Sequence, residues 1–472
     1  MSTQFDLNDP LSIMRVLGPR LDNRQHEYRR LKLYYEGDQP LAFIAPELQN
    51  QLAGRLDALV INWASLIVNT IAERLVPLGY AIPGKKAMTK KINQIWQNND
   101  MDTQFQQALI DTLVYGRTYG IVWGDANNQA TISLESAENM IAYRSPATRK
   151  WIVAMKRWVE DDGRAYAVVY TPTTIWWLRS KTKNADTSDL YESVDKVTDL
   201  SHVPANGWEV TDTINNPLGE LNVVVIANRP LLNAPEGVSE LSDVLPMADA
   251  VNKMATDMMV TSEFYATPRR WATGVEIEET TDDDDNVILK DDYDTSKSMG
   301  RWHLFEDVNA KVGQFPEAEL ANFIDGIDML GKYIAGVKKI PAHYFDPSKS
   351  GLASAEAVRA AEAPLVVMAK RMMLTIGSAL EQMARLALMV ETGDLPSRSE
   401  LRMETLWQDP ENLTAAQKVD AATKRAAIGV PKEQLWRDAG YTEQQIEDMK
   451  DMLAMEEVTK PETTENGEDT DE

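Results

Sequence analysis

Three features of the sequence predict an α+β fold. Amphipathic helical spacing fills the first part, β-branched and aromatic runs separated by turn residues take over from residue 118 to about 227, and three long helical patterns follow. With 472 residues, 43% hydrophobic and 26% charged, the chain is long enough for two or more packed globular units.

The first helical stretch, Leu21 to Tyr35, stops at Gly37, and a second covers Asn62 to Arg74. A third, Met101 to Tyr115, stops at Gly116. The period then changes to that of strands. Thr118–Trp123, Ala130–Leu134, Trp151–Val159, Ala165–Tyr170, Thr174–Arg179 and Leu221–Ala227 read as strands, with turn residues such as Asp161-Asp-Gly163 between them. A mostly antiparallel sheet beside helices is the expected body, and the polar residues 181–200 are expected as an exposed excursion.

Two long helices are predicted next, bracketing a polar insert. From Asp243 to Ala266 the residues Val244, Met247, Val251, Met254, Met258 and Tyr265, with Thr261 filling the place between the last two, step by threes and fours, a narrow heptad seam. Ser242 can cap this helix and Thr267-Pro268 ends it, over roughly 36 Å at 1.5 Å per residue. The second begins near Pro316 and stops before Pro341, with Leu320, Phe323, Ile327, Leu330, Ile334 and Val337 on one face. Lys338 and Lys339 at its end suit the helix dipole.

The insert, 269–315, holds short strand-like pieces (Arg270–Gly274, Val287–Lys290, Arg301–Phe305) around Asp282, Asp283, Asp284 and Asp285. Four adjacent carboxylates lack the alternating ligands and closing Glu of a calcium loop, so a solvated hairpin tip is expected. After the loop 343–352 comes a helix from about Ala355 to Glu391, capped by Ser354, closed near Gly393 and kinked at Pro364. Short helices are expected thereafter: one opened by the Thr414–Gln417 capping box and ended by Gly429, one from Pro431 to Gly440, and one from Thr442. The acidic residues 459–472 have no apolar anchor and are expected to be disordered.

Several function classes find no support. Against 48 Lys and Arg stand 73 Asp and Glu, and a net charge of −25 argues against gripping nucleic acid by neutralising phosphates. The four histidines are scattered without HExxH or another metal spacing, neither GxSxG nor GxGxxG occurs, and zero cysteines rule out thiolate chemistry. No metal, cofactor or catalytic residue is therefore assigned. Gly79, then four residues, then Gly84-Lys85-Lys86 comes near a P-loop, but Lys86 stands where the magnesium-binding hydroxyl belongs and Pro83 stiffens the supposed cradle. No run approaches the roughly 18 apolar residues of a membrane span and the N-terminus carries no signal-peptide pattern, so a cytoplasmic, membrane-free protein is expected.

One set of motifs carries a resemblance. Tyr34-Tyr-Glu-Gly37, Asn62-Trp63 with Glu73-Arg-Leu75 and Gly79, Tyr115-Gly-Arg-Thr-Tyr119, Asn228-Arg-Pro230, Ser239–Pro246 with Asn252, Phe264–Pro268 followed by Arg270–Gly274, and Ser354-Ala-Glu-Ala357 run in order through nearly the whole chain. In that order and spacing the sequence resembles the portal proteins of tailed bacteriophages, in the branch similar to the Gp6-like family.

That resemblance implies a fold of named parts. These are a wing at 1–237, stem helices at 238–268 and 316–340, a clip at 269–315 and a tunnel loop at 341–353. A long kinked wing helix at 354–400, a helical crown at 401–456 and an acidic tail at 457–472 complete them. It also implies a structural, non-enzymatic protein that forms a ring of about twelve copies at one capsid vertex of the virion, assembled in the host cytoplasm. Double-stranded DNA would pass through the ring without sequence-specific contact. Terminase large subunit and head-tail adaptor would meet the clip, and major capsid protein and scaffold the wing. The residues so implicated are His343, Tyr344, Phe345, Asp346 and Lys349 in the tunnel loop, with Lys338 and Lys339 as basic residues near the channel. Val244, Met247, Val251, Met254 and Met258 would make stem contacts between subunits, and Arg270, Trp271, Asp282–Asp285 and Trp302 would belong to the clip. Rival readings are a capsid-associated minor structural protein that forms no ring, and a nucleotide-binding enzyme using Gly79 to Lys85.

Overall fold

The computed structural model describes residues 6–40, 59–183, 207–265, 270–273, 279–281, 287–289, 302–305, 311–314, 319–346, 354–393, 401–411, 415–439 and 441–459. Helix α1 (Pro10–Glu36) is capped by Asp9, whose carboxylate accepts from Leu11 N at 3.0 Å, and ends at Gly37 with φ 86°. It starts well before the expected Leu21 and carries Pro19 inside it. Pro19 and Arg15, whose carbonyl loses its helical donor to the proline, both lie on the exposed side, where water can replace that donor.

Helices α2 (Trp63–Ala72), α3 (Lys86–Asn98) and α4 (Met101–Tyr115) follow, with strand β1 (Pro77–Ala81) between α2 and α3. Strands β2 (Arg117–Gly124), β3 (Ala130–Ser136) and β9 (Val223–Ala227) form a three-stranded antiparallel sheet in the order β3-β2-β9. Strands β4 (Met140–Arg144), β5 (Trp151–Val159), β6 (Ala165–Tyr170), β7 (Thr174–Ser180) and β8 (Trp208–Asn215) form an antiparallel meander in sequence order. Period-two alternation divides that meander between two cores. Val153, Met155, Ala165, Ala167 and Val169 face the first half of α1 at Ile13, Met14, Leu17 and Leu21, whereas Ala154, Val168 and Tyr170 point into the main core.

The main core is closed by the 38-residue helix α7 (Ala355–Thr392), which lies on β2, β3 and β9. A Cβ on Gly120 of β2 would meet Met383 Sδ at 2.0 Å, so helix and sheet approach as closely as glycine allows. Although α7 alone among the described helices has the length and hydropathy to cross a membrane, it spends Leu365, Ala369, Ile376, Leu380 and Leu386 on the core. Each fully buried leucine or isoleucine among them contributes about 1.5–3 kcal/mol.

Helices α5 (Leu245–Tyr265) and α6 (Ala321–Lys338) pack against each other. Between them lie β10 (Arg270–Thr273), β11 (Glu279–Thr281), β12 (Val287–Leu289), β13 (Trp302–Phe305) and β14 (Lys311–Gln314). Strand β10 pairs parallel with β13 and antiparallel with β14, and β11 pairs with β12. The C-terminal part departs from the all-helical expectation at its start. Strand β15 (Glu404–Trp407) pairs antiparallel with β1, before helices α8 (Ala415–Ala427), α9 (Lys432–Ala439) and α10 (Glu443–Thr459). Helix α10 also takes in residues 457–459, which the sequence assigns to the tail.

A buried acid in this body gives a pH prediction. Burial raises the carboxyl of Asp111 on α4 to about 6, with Glu138 adding to the rise and Ser136 and Lys32 opposing it. The ordinary value being 3.8, the unfolded chain ionises first as pH rises, so stability falls between about pH 4 and 6 and the deficit persists above. Asp111→Asn is expected to gain about 3 kcal/mol at pH 7.5 and little at pH 4, measured by urea unfolding. An equal gain at both pH values would contradict the assignment.

Candidate functional site

The motifs separated in sequence meet at two places in the body. Asn62 caps α2 by accepting from Ser65 N at 3.0 Å, and its amide donates to Tyr35 O at 2.9 Å beside Gly37. Asn252 of α5 accepts from Ile61 N at 2.7 Å, and the Tyr34 hydroxyl donates to Asp249 on the same helix. The first motifs therefore hold the root of α5 against the ends of α1 and α2.

The second meeting place is the joint between β9 and the helix pair. Asn228 N donates to Gly116 O at 2.9 Å, and Glu240 N donates to Leu113 O at 2.8 Å. Glu240 then gathers a charge cluster, accepting from Asn228 Nδ2 at 2.9 Å, Arg229 Nε at 2.8 Å and Lys338 Nζ at 3.1 Å. Lys338 also pairs with Asp243, and the Lys338 and Glu240 side chains are each only 1% exposed. This overturns the expectation for Lys338. A lysine enclosed by two carboxylates of its own chain ties the end of α6 to the start of α5 and has no face left for a phosphate. Lys339, the left-handed cap after α6 with φ 57°, is exposed.

The cluster makes a measurable prediction. Lys338→Met should cost about 3 kcal/mol in urea unfolding, the low end for breaking a buried pair, because Arg229 and Asn228 still serve Glu240. The double change Lys338→Met with Glu240→Gln should recover most of that loss, and a double as weak as the single would rule out the pairing as its cause.

The heptad seam also finds a different partner. Val244 and Val251 are buried in this chain, Met247 packs on its main core, and a Cβ at Gly326 of α6 would meet Met254 Cε at 2.1 Å. Met258 is half-buried. The seam thus closes against the chain's own α6, so it is not the free contact surface expected of it. What α6 leaves open is another stripe: Met329, Tyr333 and Val337, at successive steps of four on one helix face, are 50%, 58% and 50% exposed.

The loop after α6 is likewise anchored. Phe345 is buried edge-on against Trp63, with ring centroids 5.3 Å apart, and the Tyr344 hydroxyl donates to Glu362 at 2.8 Å. These two residues grip the body of their own chain, His343 and Asp346 are half-buried, and Lys349 lies outside the described residues. Arg270 and Trp271 sit on β10 with Trp302 on β13, in the register Arg270 to Trp302. Asp282 to Asp285 lie outside the described residues.

At the near-P-loop Gly79 lies within β1, and α3 begins at Lys86, just after Gly84 and Lys85. Three of its amides, however, are taken. Tyr80 N donates to Asn93 Oδ1 at 2.8 Å, Ile82 N to Thr89 Oγ1 at 3.0 Å and Lys85 N to Ile82 O at 3.1 Å. A phosphate cradle needs such donors pointing free. Sequence reasoning missed Arg74, Arg229, Glu240, Asp243 and Glu362 as partners; all are ordinary polar residues in the sequence, and although all but Glu362 sit in motifs that the resemblance singles out, nothing in those motifs says which side chains meet.

Polar clusters closed into joints, two cores around antiparallel sheets and an apolar helix pair leading to a small strand-bearing segment define a structural protein of the phage portal class. The chain belongs to the SPP1 Gp6-like phage portal family, whose sequence pattern matches residues 18–461. It is 29% identical over 464 residues to the portal protein of Mycobacterium phage D29, covering 95% of this chain and 89% of that one. To the portal protein of Mycobacterium phage L5 it is 28% identical over 465 residues, with 94% and 88% covered. A structural role in the phage particle follows from that membership.

Proposed function

We propose that about twelve copies of the chain close into a ring at one capsid vertex, a channel through which genomic DNA is packaged and ejected. The observation that carries this reading is the exposed stripe Met329, Tyr333 and Val337 on a helix whose other face is already filled by α5. A neighbour's stem covering that stripe makes a heterologous contact that closes by rotation, and it replaces the seam as the contact between stems.

The charge of −25 supports passage over binding. An acidic wall repels phosphates, and screening at physiological salt confines that repulsion to about 8 Å, so DNA can slide without being held. Lys339 and Lys349 are the basic residues that make transient phosphate contacts near the loop 341–353. In this reading the strand-bearing segment 269–315 is the clip that docks terminase and, later, the head-tail adaptor, and the body meets capsid protein and scaffold. Native mass spectrometry with negative-stain imaging of the purified chain tests it. Closed rings with a central hole are expected. A chain that stays monomeric both alone and with scaffold and capsid protein would overturn the reading.

A further inference from the structure

Arg74, Glu362 and Tyr344 come from three distant segments and meet inside the body. Arg74 follows α2, Tyr344 closes the 3-10 turn Ala342–Tyr344 after α6, and Glu362 sits on α7 two residues before Pro364. Arg74 Nη2 donates to Glu362 Oε1 at 3.2 Å and to the Tyr344 hydroxyl oxygen at 3.1 Å, while Nη1 donates to Pro410 O at 2.8 Å. The Tyr344 hydroxyl donates its own hydrogen bond to the same Glu362 oxygen at 2.8 Å. Arg74 and Glu362 are both buried.

Such a pair is a weak source of net stability, since apolar residues of equal volume serve a core as well. What the guanidinium fork supplies is direction, one fixed geometry for three acceptors. Its placement gives that geometry a purpose. The cluster holds the turn 342–344, which follows α6, and the helical arm 355–363, which opens α7. Pro364 has no N–H for the Ala360 carbonyl, so the arm 355–363 joins the rest of α7 at its weakest point. Glu362 is the arm's ionic tie across that point.

We propose that Arg74, Glu362 and Tyr344 form a latch of positioning residues that locks the turn 342–344 and the α7 arm 355–363 to each other and to the body, and so sets the two points from which the channel loop is held beside passing DNA. The latch rests, for its link to DNA, on reading 341–353 as the channel loop. Burial and then the hydrogen bond to Glu362 raise the Tyr344 hydroxyl above the ordinary tyrosine value, so it stays a donor near neutral pH.

Because the chain has no cysteine, a single introduced one can carry a nitroxide label. Ala342→Cys, exposed on the latched turn, reports the site, and Asn127→Cys, exposed on the distant β2–β3 turn, is the control. Each label is read in the otherwise native chain, in Tyr344→Phe, and in the charge-free double Arg74→Met with Glu362→Leu, which keeps the core filled should milder changes leave too little signal. The immobilised fraction of the spectrum at 342 is expected to fall roughly twofold or more in both variants, with the label at 127 unchanged. An unchanged spectrum at 342, or an equal change at both labels, would overturn the latch. DNA retention in assembled particles is the second reading and is expected to drop in step. If the label at 342 loosens while retention holds, the latch stands and the channel assignment of the loop is what fails.

Discussion

Gly237→Ala is expected to leave almost no folded protein, with a loss of about 4 kcal/mol or more in urea unfolding. Gly237 has φ 90°, and an added Cβ would sit 2.3 Å from Gly116 O, 2.6 Å from Asn228 O and 2.8 Å from Asn228 N. None of these neighbours is the far end of a flexible side chain. They are backbone atoms already fixed by the bonds Asn228 N to Gly116 O and Val238 N to Asn228 O, both 2.9 Å. Relief would require moving residues 238–240, which would draw Glu240 away from Lys338 and open the root of the helix pair. Gly84→Ala is the control. Its φ of 76° carries the left-handed penalty, yet a Cβ there meets nothing within 4 Å, so it should cost only about 1–2 kcal/mol. Equal losses at the two glycines would show that backbone crowding at the joint is not what makes Gly237 necessary.

The joint also marks how far the sequence can be read. Local chemistry carried well: Gly37, Gly116 and Gly393 end helices where their patterns stop, and Ser354 caps α7 as its hydroxyl accepts from Ala357 N at 3.2 Å. Pairings across long separations did not. Strands β1 and β15 are two short runs more than 300 residues apart, and nothing in either composition announces the other. The first half of α1 was hidden by Pro19, a stop signal that an exposed helix face makes harmless. Lys338 looked like an exposed helix-end lysine, because a sequence shows the type of a charge and not whether two acids enclose it. The heptad of α5 spells a narrow seam, but a seam states only that some helix lies against it. Gly326 on α6, small enough to admit Met254, was the available sign that the partner belonged to the same chain.

Tyr333→Asp is expected to abolish rings while leaving the monomer folded. Tyr333 is exposed in the single chain, so the new carboxylate stays in water there and should change unfolding by less than about 0.5 kcal/mol. In a ring the same position lies between Met329 and Val337 at the centre of the apolar stripe, where a neighbour's helix would strip its water without offering a cation. Tyrosine is among the residues that concentrate binding energy, and losing it while burying an unpaired charge should cost about 3 kcal/mol or more per contact. That is over a hundredfold in each subunit affinity at about 1.4 kcal/mol per decade, repeated at every contact around the ring. Val251→Asp separates this from a general intolerance of charge. Val251 is buried within its own chain, so an aspartate there should unfold the root of α5 whether or not copies assemble. The expected pattern is therefore a folded monomer from Tyr333→Asp and a destabilised chain from Val251→Asp, read by circular dichroism and native mass spectrometry. Closed rings from Tyr333→Asp would remove the α6 stripe from the contact between subunits and return that role to surfaces of the body.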